Sequence, residues 1–308
     1  MTADGTVGRI LGHTPLLDLS GLSSPDDLAG IAAIESVATV VVPRSLAAAY
    51  TAIPTSRVAN TVFVPDGAKV RSQTGSLSVA GDELGDENDV LIVVGMLLIT
   101  SPITGSLPGL IHVTGSVLAP RGSESKIGKV LEGTGSVVQY RWAEDQDINV
   151  MSGQLRISAA SLANSAGTAA DVLILAGQAV LTGTVNEVGY RQILTAGQAA
   201  FPESARDQVE PRLVSQGQLA WYRSEQPRVF NDATTVTAAF LQLLDEKVSI
   251  IAFGDLTVAE DVTSDLLRAK VSDLVLFGDA TAPADVVPTL QFLATDAYGS
   301  IRSAGVAD

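Results

Sequence analysis

The sequence predicts a repeat solenoid, mainly parallel β and right-handed β-helix-like, with about 20 residues per coil and short helices in the terminal coils. Three observations predict it. Ala-Gly-Gln-Ala occurs at Ala176–Ala179 and again at Ala196–Ala199, and Gly217 in "SQGQLAW" continues the interval of twenty. Upstream, Gly75, Gly95, Gly115 and Gly135 keep the same interval. Around each anchor, polar and apolar residues alternate with period two, the signature of a strand with one buried face.

Taken in order, residues 1–33 read as an N-terminal cap with a short helix, "SSPDDLAGIAAI", capped by Ser24 and started by Pro25. Residues 34–294 read as a solenoid of about thirteen coils, anchored at Ala38, Asn60, Gly75, Gly95, Gly115, Gly135, Gly153, Gly177, Gly197, Gly217, Asn231, Gly254 and Gly278. One residue after the anchor is polar in twelve of the thirteen, Met96 being the exception, and two residues after it is always apolar, from Val40 and Val62 to Leu256 and Ala280. Return segments are short between the central anchors. Near the ends "PRSLAAAYTAI", "TAAFLQLLDEK" and "AEDVTSDLLRAK" read as helices, with Pro at first-turn positions and Lys or Arg late. The intervals Asn60–Gly75 and Gly217–Asn231 shrink to 14–15 residues, where the register is least determined. Residues 295–308 read as a loosely ordered tail.

Stacking at about 4.8 Å per strand buries the apolar columns that one coil cannot bury alone. The composition suits this: 46% apolar residues, only 5% aromatic and 17% charged, with 28 glycines. A net charge of −15 makes nucleic acid and anionic membrane surfaces poor partners. With no cysteine, thiolate catalysis and disulfides are excluded. The opening stretch has no basic-then-apolar pattern, and the longest apolar run, Val90–Ile99, is half of a membrane span. A cytoplasmic protein is the expectation.

Residues with catalytic chemistry are scarce. His13 and His112 are the two histidines; both read as surface or loop residues, and His112, between Ile111 and Val113, is expected to face outward. Ser123 and Lys126 have Ser-x-x-Lys spacing without the companion motifs, and Gly133–Ser136 is a fragment of a phosphate loop without its lysine. No catalytic residue and no cofactor is assigned. Weak metal candidates are Asp82, Asp86 and Asp89 in the acidic loop "GDELGDEND", and Asp232, Asp255 and Asp279 in one register column. The column either accepts local backbone N–H groups or binds a cation; the acidic loop reads as a solvated turn. Gln154, Gln178, Gln198 and Gln218 form a column that can pair amide to amide. Trp221 falls on an inward column, whereas Tyr140, Trp142 and Tyr222 are candidates for an exposed patch.

The glycine-started strands between Gly75 and Trp221 resemble, in rhythm, polymer-forming bacterial β-helix proteins such as the bactofilins. The units "IIAFGDLTVAEDVTSDLL" and "LVLFGDATAPADVVPTLQ" resemble the strand–turn–helix rhythm of leucine-rich repeats, without their Leu-x-x-Leu-x-Leu-x-x-Asn pattern. The first resemblance implies a nucleotide-independent, head-to-tail filament. The expected function is a non-enzymatic structural protein, self-assembling or scaffolding, with other copies of itself as partner. The alternatives are a monomeric module binding another protein, and a β-helix enzyme acting on a carbohydrate.

Overall fold

The computed structural model describes residues 9–133, 136–224 and 226–304. Its sheets are parallel throughout, and in every sheet successive strands lie side by side in chain order, skipping only strands that belong to a companion sheet. The chain divides into two compact units, residues 1–142 and 143–308.

In the first unit β1 (Arg9–Asp18), β2 (Ile31–Pro43) and β3 (Thr55–Val64) form one sheet, with helix α1 (Ala47–Thr51) between the last two. A second sheet holds β4 (Lys69–Val79), β5 (Asp89–Ile99) and β6 (Leu110–Pro120), and then, after helix α2 (Glu124–Ile127), β7 (Leu131–Glu132) and β8 (Ser136–Tyr140), both paired to β6. Each sheet shelters its own core: Ile34, Val40, Val42, Leu46 and Tyr50 in one, Leu91, Leu97, Ile99, Ile111 and Val117 in the other. The two sheets also pack face to face across Val41, Val62, Val64, Val90, Ile92 and Leu110.

The second unit begins with β9 (Ile148–Ser158), β10 (Val172–Thr182), β11 (Gln192–Pro202), helix α3 (Arg206–Val209) and β12 (Leu213–Tyr222), the four strands making one sheet. Then come β13 (Arg228–Phe230), β14 (Thr234–Val236), α4 (Ala238–Gln242), β15 (Val248–Ala252), β16 (Leu256–Val258), α5 (Ser264–Lys270), β17 (Val271–Leu276), β18 (Ala280–Ala282), α6 (Val287–Leu293), β19 (Ala294–Ala297) and β20 (Ile301–Ser303). Here each repeat gives one strand to the sheet β13–β15–β17–β19, one to β14–β16–β18–β20, and a helix between. Leu241, Ile250, Leu256, Leu267, Leu274 and Leu290 fill the space that these three walls enclose. Thr237 and Thr263 cap α4 and α5, each accepting from a backbone N–H three residues on.

The glycine register is as expected in the middle of the chain. Gly75, Gly95 and Gly115 are partners, as are Gly153, Gly177, Gly197 and Gly217. Gly197 shows why: at φ 133°, a Cβ there would stand 2.3 Å from the carbonyl oxygen of Gly177. The anchor Gly135 lies outside the described residues.

Elsewhere the expected register and boundaries are corrected. Asn60 pairs with Thr39 rather than Ala38, so Val62 falls on the opposite face from Val40. Thr234, not Ala233, pairs with Leu256, and Ala233 is exposed. A slip of one residue exchanges the two faces of a strand, and each slip occurs in a repeat that borders a change of sheet. The short intervals 60–75 and 217–231 mark those changes: β4 and β13 begin new sheets instead of extending the previous ones. Among the described residues of the expected cap, helix is confined to a 3-10 turn at Pro25–Leu28 closed by a Ser24–Asp27 capping box, and β1 precedes it as a paired strand. Ala29 caps the turn, and the strand that follows from Ile31 carries the β-branched run Thr39–Val42 near its end. In the expected tail, β19 and β20 each complete a sheet; residues 305–308 lie outside those described. Helical turns are also not confined to the terminal repeats, since α2 and α3 follow central strands.

Candidate functional site

Several of the polar side chains singled out in the sequence hold one repeat to the next. Gln178 Nε2 donates to Gln198 Oε1 at 3.2 Å, and Gln198 Nε2 to Gln218 Oε1 at 2.8 Å. Gln154 leaves this ladder, because its Oε1 accepts from Asn231 Nδ2 at 3.2 Å, and Gln178 Oε1 is left buried without a partner. The aspartate column makes a comparable ladder through the backbone. Asp255 accepts the N–H of Asp279 at 3.0 Å, and Asp279 accepts the N–H of Ser300 at 2.7 Å and its hydroxyl at 2.9 Å. Those bonds hold the Asp279 carboxyl below its ordinary value. Asp232 drops out of the column through the slip at β14.

The acidic loop is a turn folded over Leu84, which is fully buried. Asp82 and Asp86 are exposed; Asp89 is 8% exposed and accepts the N–H of Asp86 at 3.2 Å. Among the described residues, no group of three or more His, Asp or Glu side chains is gathered to hold a metal. Its counterpart in the second unit is Asp171, 82 residues on, in the matching stretch Asp171-Val172-Leu173-Ile174. Asp171, 1% exposed, accepts from Thr168 N at 2.9 Å, Thr168 Oγ1 at 2.7 Å, Asn164 Nδ2 at 2.9 Å and Asp147 N at 3.2 Å. This cage of donors holds its carboxyl far below the usual range.

Two expectations about aromatics and histidine are overturned. Tyr140 and Tyr222, proposed as parts of an exposed patch, are fully buried; only Trp142, 38% exposed, remains at the surface. Their strand faces carry a second layer of packing that a one-sided strand would lack, as Val180, Ala200, Ala220 and Tyr222 against Phe253 and Phe277 show. Trp221 is core as expected, tilted against Phe201 at 5.7 Å with the Arg206 guanidinium 4.9 Å from its ring centre.

His112 is buried rather than outward, at 7% exposure, because its face of β6 packs toward the first sheet. Its Nε2 lies 3.4 Å from Thr114 Oγ1, which lies 3.0 Å from Thr39 Oγ1. Burial lowers the imidazole pKa, with Glu132 opposing. His13 is exposed at φ 58°. The side chains of Ser123 and Lys126 are not paired: Lys126 Nζ donates to the Ile103 carbonyl at 2.5 Å. The fragment Gly133–Ser136 falls partly outside the described residues. A cleft of about 280 Å³ in the first unit is bordered by Arg44, Asp66, Glu87, Asp89 and Glu132, with Asp66 held by the N–H and hydroxyl of Ser45.

What sequence reasoning missed is the difference between strand edges. The N–H groups of Leu219, Trp221 and Arg223, on or just past β12, are taken by Tyr298 Oη at 2.9 Å, Asp296 Oδ2 at 3.1 Å and Asp273 Oδ2 at 3.2 Å. Tyr298 in turn donates to the Leu219 carbonyl at 2.6 Å and ends a run of stacked rings, Phe253–Phe277–Tyr298, with centroids 4.8 and 5.5 Å apart. Those side chains close the C-terminal half of that edge. β9, at the other edge of the same sheet, pairs with β10 alone and is exposed along most of its length.

No protein-family model, no curated protein and no solved structure matches this chain. Among the described residues no helix is long and apolar enough to cross a membrane.

Proposed function

We propose that this chain is a non-enzymatic structural protein whose parallel sheets are the walls of short solenoid stacks, and that it serves as a self-associating scaffold. One observation carries the reading: two columns of polar side chains are spent along the stacking direction. Gln178, Gln198 and Gln218 link three successive repeats, and Asp255, Asp279 and Ser300 link three more. Side chains used in this way build a stack and leave few groups to act on a substrate. Multi-angle light scattering over a concentration series, with negative-stain microscopy of the same samples, tests it. Mass rising above the 31.8 kDa monomer supports the proposal, and a strict monomer at every concentration overturns it.

A second reading, a monomeric module that binds a protein partner, is favoured by Leu243 and Phe292, 82% and 79% exposed on the helical side of the last stack. It predicts a monomer that retains a stoichiometric partner, with retention lost in the Leu243→Ser/Phe292→Ser variant.

A further inference from the structure

We propose that the first unit carries an acid-operated latch: protonation of His112 parts the sheet β1–β3 from the sheet β4–β8 while each sheet keeps its own core. The geometry is that of two bodies meeting across a small seam. Each sheet shelters a separate apolar cluster, built on Ile34, Val40 and Leu46 in one and on Leu91, Leu97 and Ile111 in the other. The seam is smaller than either cluster: Val41, Val62 and Val64 of the first sheet meet Val90, Ile92 and Leu110 of the second. Side-chain hydrogen bonds cross it at the exposed pair Ser72 and Asp18, 3.1 Å apart, and at a buried group around Thr114. The chain passes from one sheet to the other through the four residues between Val64 and Lys69, a turn in which Gly67 takes φ 73°. Parting the sheets therefore breaks no strand ladder and uncovers neither core.

His112 stands inside this seam. It lies two residues on from Leu110, on the same face of β6, and is 7% exposed. Its Nε2 is 3.4 Å from Thr114 Oγ1, and that hydroxyl is 3.0 Å from Thr39 Oγ1 and 3.5 Å from Asn60 Nδ2, both of the opposite sheet. One hydroxyl thus ties the ring to β2 and to β3. On its own sheet the register partners of His112 are Ile92 on β5 and Glu132 on β7. Burial disfavours the imidazolium, and Glu132, the charge that acts on the ring, opposes it. Arg44, Asp66, Glu87 and Asp89 border the cleft that reaches Val90 and Leu110, so solvent comes up to one edge of the seam. With the sheets parted the imidazolium is hydrated, whereas in the closed seam it is not. Proton uptake below about pH 6.5, the ordinary histidine value, therefore favours the open form, by at most about 30-fold at pH 5. The second unit supplies a contrast. Its own sheet-to-sheet contact, with Ala200 and Tyr222 against Phe253 and Phe277, has no histidine, since both of the chain's histidines lie in the first unit.

The chain has no cysteine, so one introduced thiol reports on opening. Val62→Cys places it in the seam, where Val62 is 5% exposed, and Ala200→Cys places it at a fully buried position of the second unit's contact. Each full-length protein is labelled with an uncharged dipyridyl disulfide between pH 8 and pH 5. Each rate is divided by that of glutathione at the same pH, which removes the titration of the thiol itself. Circular dichroism at each pH follows the strand content. The expected result is a normalised rate at Val62→Cys that rises about 10–30-fold on acidification, with Ala200→Cys flat. The rise is lost when His112→Asn or His112→Gln is added to Val62→Cys, because neither side chain takes up a proton in this range. A flat rate at Val62→Cys, or a parallel rise at Ala200→Cys from general unfolding, overturns the latch without any histidine variant. A rise that persists in the His112 variants overturns it as well.

Discussion

Tyr222 donates its hydroxyl proton to the Leu181 carbonyl at 2.5 Å, and Tyr140 donates to the Ile99 carbonyl at 2.6 Å; each bond spans 41 residues. Both tyrosines are fully buried, and each ties the last strand of its sheet to the end of the strand two repeats earlier. Tyr140 and Tyr222 are 82 residues apart, as are Ile99 and Leu181, Gly95 and Gly177, and Asp89 and Asp171. The two central sheets are thus versions of one design.

Tyr222→Phe, which keeps the ring and removes the donor, is expected to cost about 1–2 kcal/mol, because a buried carbonyl loses its partner. Urea denaturation measures it. Burial also pushes both phenols up from their ordinary values. A raised pKa in the folded state means stability that is complete below about pH 10, the unfolded value, and is lost as the pH rises beyond it. Alkaline titration followed at the phenolate absorbance should show these two tyrosines ionising only with unfolding.

Two glycine substitutions separate crowding from backbone conformation. Gly197→Ala places a Cβ 2.3 Å from the Gly177 carbonyl oxygen, and a loss of about 3–5 kcal/mol is expected. Gly153→Ala has the same left-handed requirement, φ 102°, but open space below it, and about 1–2 kcal/mol is expected. Equal losses at the two sites would remove the argument that stacked backbones select glycine.

Asp171→Asn replaces a carboxylate that accepts four hydrogen bonds, and should destabilise by about 2–3 kcal/mol near neutral pH. The folded pKa is depressed, so this contribution is present above the unfolded value, about pH 4, and fades as the pH falls below it. Wild-type and variant melting temperatures should therefore converge on acidification. A gap that stays constant down to pH 2 would contradict the cage.

His112 predicts a separate pH dependence at milder acidity. Burial favours the neutral ring, so its folded pKa is lowered; the stability from keeping it neutral is complete above about pH 6.5 and is lost as the pH falls. The wild type should lose melting temperature between pH 7 and pH 5, and His112→Asn should show a flatter profile over that range.

The period-two alternation and the twenty-residue glycine interval were enough to read parallel strands and their register from Gly75 to Gly115 and from Gly153 to Gly217. They sufficed because backbone contact between stacked glycines is local to one column, and each column is visible in the chain. Thr39, Asn60 and Thr234 were misplaced by one, since Ala38 and Asn231 are not glycines and the anchor was carried across a change of sheet. The burial of Tyr140, Tyr222 and His112 had a fainter signal. The intermediate positions Val41, Ile92, Leu98, Val180 and Ala200 are themselves apolar, which is the pattern of strands covered on both faces.

By itself, then, the sequence determined the strand, its direction and its partner in the adjoining repeat, because those depend on spacing along the chain. Only the tertiary structure decided where one sheet ends and the next begins, which second face is buried, and which strand edge side chains close. Those outcomes depend on residues far apart in sequence: Tyr298 and Asp296 close the C-terminal half of β12 from 75 and more residues away. A repeat unit carries the rule for adding its neighbour, but the rule for stopping comes from whatever packs against the end.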